Sequence, residues 1–439
     1  MTTLRAPWPA LLSLSAALAC GGSGGGGSSS EAPPSDADLV ASAGPGALGS
    51  EADEDESVAP GGRVHVVRPG ESIQAAVEAA AAGDTVLVQP GTYREAGRPC
   101  PTNPDATCAV VISTDGIRLV GARGPHGRDD GRGRAAGPVL ENAGGQDQGI
   151  AIAKVRPAGA RNADCFTQPE QHIAGNVVSG FTVRGFAGEG IFLFCADDFR
   201  VTRNATLDNL EYGIFPSHSA RGRVRGNVAT GANDTGIYIG QSHDVRVSHN
   251  LAQGNVSGFE IENCTGVRLD HNVATGNTGG ILSFTLPGLD LLVNEDNVVE
   301  RNVVVANDKD NTCTDPSDTV CLVPSGTGIL LLAADRNTVR GNLVARNRTA
   351  GIAVFDFCTA TGTPPDACAG LGIDPSPDGN RIVGNRVAGN GNDPDVARLP
   401  PGVPGADLLW SGVGTGNCWS RNGDGTVFSP VPLPACPNP

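Results

Sequence analysis

Four consecutive blocks of this chain restart on the same beat. They read GIFLFCADDFRVTRN from Gly190, GIFPSHSARGRVRGN from Gly213, GIYIGQSHDVRVSHN from Gly236 and GFEIENCTGVRLDHN from Gly258, openings 23, 23 and 22 residues apart. Each block reaches an Asn thirteen residues after its first apolar residue: Asn204, Asn227, Asn250 and Asn272 after Ile191, Ile214, Ile237 and Phe259. A period of this length marks a unit too small to bury its own apolar face, which must stack on its neighbours. We number these blocks rungs one to four.

Within a rung, strand alternation turns inward the opening apolar residue, the residue two places on (Leu193, Ile239, Ile261) and a third apolar residue ten places on (Val201, Val224, Val247, Leu269). A third short strand follows each Asn. The expectation is an all-β solenoid, a parallel β-helix with three strands per turn of 22 or 23 residues. Asn204, Asn250, Asn272, Asn302, Asn342 and Asn385 each have a second Asn five residues later: Asn209, Asn255, Asn277, Asn307, Asn347 and Asn390. Stacked about 4.8 Å apart, such amides can hydrogen-bond from turn to turn.

Composition suits this fold, with 62 glycines and only 4% aromatics. The net charge is −16, and residues 31–56 hold acids and no base, so there is no basic footprint for nucleic acid. At the start, Arg5 and an apolar run from Leu11 to Ala19 read as an export signal over 1–20. Ala17-Leu18-Ala19-Cys20 resembles a bacterial lipoprotein cleavage box, which implies lipidation at Cys20. A Gly/Ser and acidic stretch over 21–62 then reads as a disordered tether. The expectation is an exported lipoprotein, periplasmic or on the outer-membrane surface, touching membrane only through its anchor and acting as a monomer.

Eleven cysteines follow Cys20. In an exported chain they read as disulfides: Cys100 with Cys108, Cys313 with Cys321, Cys358 with Cys368, Cys418 with Cys436 and Cys165 with Cys195. The pairing among Cys165, Cys195 and Cys264 stays open in the sequence; with Cys165 joined to Cys195, Cys264 is by default a buried thiol inside its repeat.

Taken in order, the solenoid spans 63–398. Ser72 can cap an amphipathic helix from Ile73 to about Ala82, which covers the open end. A Gly/Arg loop runs from Gly121 to Gly137, later insertions occupy 286–300, 306–325 and 357–379, and a Pro-rich, disulfide-linked C-terminal cap covers 399–439. The cap helix and its flanking strands resemble the N-terminal cap of pectin-lyase-like right-handed β-helix proteins. Across residues 63–395 the repeats resemble that superfamily, which includes pectate lyases, alginate epimerases and NosD-type repeats. Segments such as YGIFPSHS, DTGIYIGQS and GFEIENC resemble a group of exported bacterial β-helix repeat proteins. The resemblance implies a right-handed helix and export. It implies no reaction.

Two faces carry candidate chemistry. Outward positions of the first strand present Phe192, Phe194, Phe215, Tyr238, Glu260 and Glu262; the adjoining bends add His218, Gln241 and Asn263 on one side and Glu211, Tyr212 and Asp234 on the other. Rings that stack on sugars beside carboxylates and amides suit a glycan, and the same residues can equally shield the sheet. Candidate ligand residues are Tyr212, His218, Tyr238, Gln241, Glu260, Glu262 and Asn263. Pro216, inward in its strand, lacks a ladder donor and marks an irregular rung. YGIFPSH resembles the YGFDPH segment of alginate C5-epimerases: Tyr212 matches, Phe215 stands at the Asp position, and Ser217 shifts His218 by one place. Glu260 and Glu262 can also be read as a glycosidase pair.

On the second face Arg200, Arg223, Arg246 and Arg268 form a column. Neighbours 4.8 Å apart repel by roughly 0.9 kcal/mol in bulk water, so nearby Asp197, Asp198, Asp244 and Asp270 are expected to pair with them, unless an anionic polymer does. No metal motif or cofactor is identified; calcium stays open at Asn422 and Asp424 without a defined loop. The reading is binding of a polysaccharide or other cell-surface glycan. The alternatives are a uronate epimerase or lyase, in which case the protein is an enzyme with unassigned catalytic residues, and a structural or protein-docking role.

Overall fold

The inward stacks expected from alternation run unbroken through the molecule. In the computed structural model, which describes residues 62–122, 137–157, 159–313 and 319–437, Val201, Val224, Val247, Leu269, Val299, Val339, Ile382 and Trp419 lie in parallel register along one sheet. Ile191, Ile214, Ile237, Phe259, Ile281, Ile329, Ile352 and Leu408 do so along another. Val183, Thr206, Ala229, Ala252, Ala274, Val304, Val344 and Val387 line a third, and the apolar members of all three stacks are buried. We call these sheets one, three and two. Among the described residues they hold twelve, twelve and ten strands, and their pairing is parallel apart from one short antiparallel pair at the start of sheet three. The fold is the right-handed parallel β-helix. Cys20, the leader, the tether up to residue 61 and loop residues 123–136 lie outside the described residues.

The chain turns its corners with left-handed residues. Arg203, His249, His271, Arg301 and Arg421 have φ of 52° to 59° immediately before Asn204, Asn250, Asn272, Asn302 and Asn422, while Gly226, Gly341 and Gly384 serve Asn227, Asn342 and Asn385. A non-glycine residue in this region costs about 1–2 kcal/mol, and the Asn that follows offsets it. Asn204 donates its backbone N–H to Asn227 Oδ1 at 2.9 Å and its Nδ2 to the same oxygen at 3.1 Å and to Val178 O at 3.0 Å. The pattern repeats through Asn227, Asn250, Asn272, Asn302, Asn342, Asn385 and Asn422. A second ladder runs from Asn255 to Asn390 and ends on Asp407; in rung two it is interrupted by Ala232, whose N–H still reaches Asn255 Oδ1 at 2.9 Å. The opening glycines belong to this packing: a Cβ on Gly190 or Gly236 would stand 2.6 or 2.7 Å from Nδ2 of Asn209 or Asn255.

Cys264 occupies a ladder position, where its sulfur accepts from Ser242 N–H at 3.3 Å and burial pushes its thiol pKa far up. The other ten cysteines form the five expected disulfides. The cap helix, α1 (Ile73–Ala79), is shorter than the expected 73–82. Ser72 caps it through the Ala75 N–H at 3.1 Å, and Asp84 takes the Ala81 N–H at 2.9 Å outside the helix. The solenoid also continues past 398. Strands Ala406–Trp410 and Cys418–Ser420 extend sheets three and one, and Trp410 packs on Trp419 with centroids 4.9 Å apart near the core's end. The Pro-rich segment at 399–405 is therefore a further insertion, lying over sheet three.

Candidate functional site

Sheet three presents its outward side chains to a cavity of about 170 Å³. Its polar end is built by rungs two to four. Tyr212 and Asp234 come from the bend before the sheet, Tyr238 from strand Thr235–Gly240, and Glu260 and Glu262 from strand Ser257–Glu262. Beyond it the same column turns apolar, with Leu282, Phe284, Leu330, Leu332, Ala353, Phe355 and Leu409. Segments 319–324 and 398–400 cover it, and Leu286, Thr327, Thr349, Ala350, Ala360 and Thr361 add further lining. Asn311 holds the first of these covers through Val320 O at 3.0 Å and Val323 O at 2.9 Å; Arg398 ties the two together through Cys321 O at 3.1 Å and its ion pair with Asp395 at 3.0 Å.

The aromatic rings pack edge and face on one another. Tyr212 lies 4.6 Å from Phe215 and 5.2 Å from Tyr238, and Phe215 meets Tyr238 edge-on at 4.4 Å. Each phenol also caps an acid: Tyr238 donates to Glu262 Oε1 at 2.5 Å, and Tyr212 bonds Asp234, which also accepts from Thr235 Oγ1 at 2.9 Å. Burial, then the charge on Asp234, holds the Glu260 carboxyl well above the ordinary range, against the hydroxyls of Ser257 and Thr235. Burial raises both phenols as well, helped by the neighbouring carboxylates. The pocket therefore gathers three carboxyl groups and two phenols, with Glu260 shifted toward its protonated form.

Four of the seven candidate ligand residues, Tyr212, Tyr238, Glu260 and Glu262, share this pocket. The other three hold a loop. His218, Gln241 and Asn263 occupy one corner column with φ of 51°, 51° and 47°. Asn263 Nδ2 donates to Leu286 O at 2.8 Å and Leu291 O at 2.6 Å, Gln241 Oε1 accepts from Leu291 N–H at 2.7 Å, and His218 Nε2 lies 3.0 Å from Asp290. Ser217 Oγ is 2.8 Å from His218 Nδ1, so a Ser-His-Asp series exists that the sequence did not reveal, Asp290 being 72 residues away. The imidazole sits between Phe166 and Phe194, at 5.2 and 5.0 Å, and its burial lowers its pKa. What the series does structurally is pin the loop.

The Arg200, Arg223, Arg246 and Arg268 column is in register on sheet one. At Arg246 and Arg268 its charge is met from within. Arg246 grips buried Asp270 at 3.0 and 3.1 Å, Arg268 pairs with buried Glu300, and Arg340 reaches Glu300 at 2.6 Å. Asp197 and Asp198 take Arg221, at 3.2 and 3.0 Å. Asn422, considered above for calcium, is spent in the Asn ladder, accepting from Asn385 and donating to Ile382 O at 2.7 Å.

The sequence model of the family described as periplasmic copper-binding protein (NosD) matches residues 170–393. Among solved structures, the A-modules of the mannuronan C-5 epimerases AlgE4 and AlgE6 of Azotobacter vinelandii are similar to this chain at 18% identity and a TM-score of 0.52; each comparison covers 81% of this chain, and 88% and 86% of those modules. At that identity the likeness shows a shared fold. No curated protein matches in sequence. The described residues do not fit copper, which takes thiolate, thioether or imidazole donors: no three His, Cys, Asp or Glu side chains among them converge to hold a metal ion. The stacked His249 and His271 bond Arg225 at 2.9 Å and Asp270 at 2.8 Å through Nδ1, and the thiol of Cys264 is closed inside its ladder. Fold and repeat nonetheless agree across half of the chain, and the protein belongs to the NosD family of right-handed parallel β-helix proteins.

Proposed function

We propose that the protein binds a polysaccharide or other surface glycan outside the cytoplasm, seating one sugar unit in the pocket of rungs two to four. The observation that carries this reading is the convergence of Tyr212, Tyr238, Asp234, Glu260 and Glu262 on one cavity. Aromatic faces stack on the C–H face of a sugar, and the phenols and carboxyls exchange hydrogen bonds with its hydroxyls. The two fold neighbours named above are mannuronan C-5 epimerases, which accords with glycans as ligands of this scaffold. Five disulfides and membership of a family described as periplasmic mark an extracytoplasmic protein. Lipid attachment at Cys20 belongs to the same proposal.

Binding is favoured over uronate epimerisation or elimination by the placement of His218, which is turned to Asp290 and does not line the pocket. A glycan array probed with the mature protein tests the reading, followed by titration of the best ligand against Tyr238→Ala. Incubation with alginate or pectin tests the alternative, which requires new ultraviolet absorbance or changed uronate stereochemistry. Absence of any glycan ligand would leave the docking role.

A further inference from the structure

We infer that the pocket selects an ammonium group carried on a six-membered ring, and rejects uronates. This rests on the pocket being the ligand site and names the charge of what it takes. Three carboxyls, Asp234, Glu260 and Glu262, meet at one end of the cavity with the rings of Tyr212 and Tyr238. Among the described residues, the only basic side chain lining it is Arg398, already committed to Asp395 and to Cys321 O. A cation there gains from the carboxylates and from the aromatic faces together. A carboxylate ligand would add a fourth carboxyl to this end of the cavity.

The rest of the cavity sets the size and polarity of the ligand's body. An apolar cavity of roughly 150 Å³ accommodates one benzene ring; this one measures about 170 Å³, and past the acids its wall is Leu282, Phe284 and Leu330. One ring with its apolar face on these side chains and its ammonium at Glu260 fills the space. The raised pKa of Glu260 agrees: burial, then Asp234 and more weakly Glu262, disfavours its charged form, and among the described residues Tyr212, Tyr238 and Arg398 are the other titratable groups that line the pocket. Ammonium binding then expels the Glu260 proton, so affinity rises with pH while the amine stays charged. An amino sugar and a simple alicyclic amine share this chemistry.

The test is calorimetric titration of the full mature protein with four probes: cyclohexylammonium, a glucosamine tetramer, its N-acetylated counterpart and a galacturonate tetramer. The expected result is binding of the two amines, with cyclohexylammonium tightening at least tenfold from pH 5 to pH 8, and little or no binding of the uronate. Glu260→Gln, and Asp234→Asn as an independent variant, should each weaken the amines at least tenfold while melting no lower than wild type. If cyclohexylammonium binds and no glycan does, the charge inference stands and the glycan reading falls. If the N-acetylated or uronate tetramer binds as tightly as the glucosamine tetramer and loses affinity in Tyr238→Ala, the glycan reading stands and this inference is overturned. It is overturned too if neither amine binds, or if both carboxyl variants keep amine affinity within twofold.

Discussion

Asn250 donates its side-chain Nδ2 to Asn272 Oδ1 at 2.9 Å, while Asn272 passes the same bond to Asn302 at 3.1 Å. Every amide in this column is both donor and acceptor, so removing one leaves groups on two rungs unsatisfied. Asn250 is fully buried. Asn250→Ala is therefore expected to cost roughly 1–3 kcal/mol and to lower the thermal midpoint measurably. A midpoint equal to wild type would mean that water replaces the ladder.

The disulfides divide by location. Cys313–Cys321 and Cys358–Cys368 close loops of eight and ten residues within insertions, and neither bridges rungs of the solenoid. Mild reduction should raise protease sensitivity near 313–321 and 358–368 while the β circular dichroism signal stays. Loss of that signal would place the bridges in the load path of the fold.

The stability contributed by Glu189 and Asp335 should fall as pH rises from about 4 to 7. Burial, then Glu211, pushes Glu189 up to about 7, and burial pushes Asp335 up to about 6. Each binds its proton more tightly folded than unfolded, so the unfolded state holds fewer protons between the two pKa values and the slope of stability against pH is negative there. For Glu189 the loss develops between about pH 4.5 and 7, up to roughly 3 kcal/mol. Thermal melts over that range should flatten in Glu189→Gln; a variant curve parallel to wild type would remove Glu189 from the account.

Arg246 is predicted to serve the fold more than a ligand. Asp270 is fully buried and accepts both Arg246 bonds, so Arg246→Ala should destabilise by about 1 kcal/mol, at the upper end for a half-exposed partner. Its effect on a neutral or cationic glycan should stay within twofold. Strong, salt-sensitive loss of binding would move the site to sheet one.

Cys20→Ser should release the protein from the membrane fraction. Unchanged detergent partitioning would count against the anchor.

The solenoid was legible because its cause is periodic: Gly236, Ile237, Ile239, Val247 and Asn250 recur in kind at fixed offsets, and each side chain's direction follows from strand alternation. The disulfides were legible because most join near neighbours. The cover over sheet three was not. Whether 319–324 and 398–400 lie on the sheet or away from it depends on contacts between residues up to 77 positions apart, such as Arg398 with Cys321, and no local pattern encodes that path. The same holds for His218, whose partner Asp290 sits in an insertion. Tyr238 and Glu260 were identified as outward, which is correct for the sheet; that outward here means buried beneath a roof follows only from where the insertions go.

The central claim is that ligand chemistry sits at Tyr238 and Glu260. The most direct measurement is titration of the best array-selected glycan against wild type, Tyr238→Ala and Arg246→Ala, each checked by thermal melting. The account predicts at least a tenfold loss of affinity in Tyr238→Ala with the β-helix still folded, and a change within twofold in Arg246→Ala. Wild-type affinity in Tyr238→Ala together with a large loss in Arg246→Ala would contradict it.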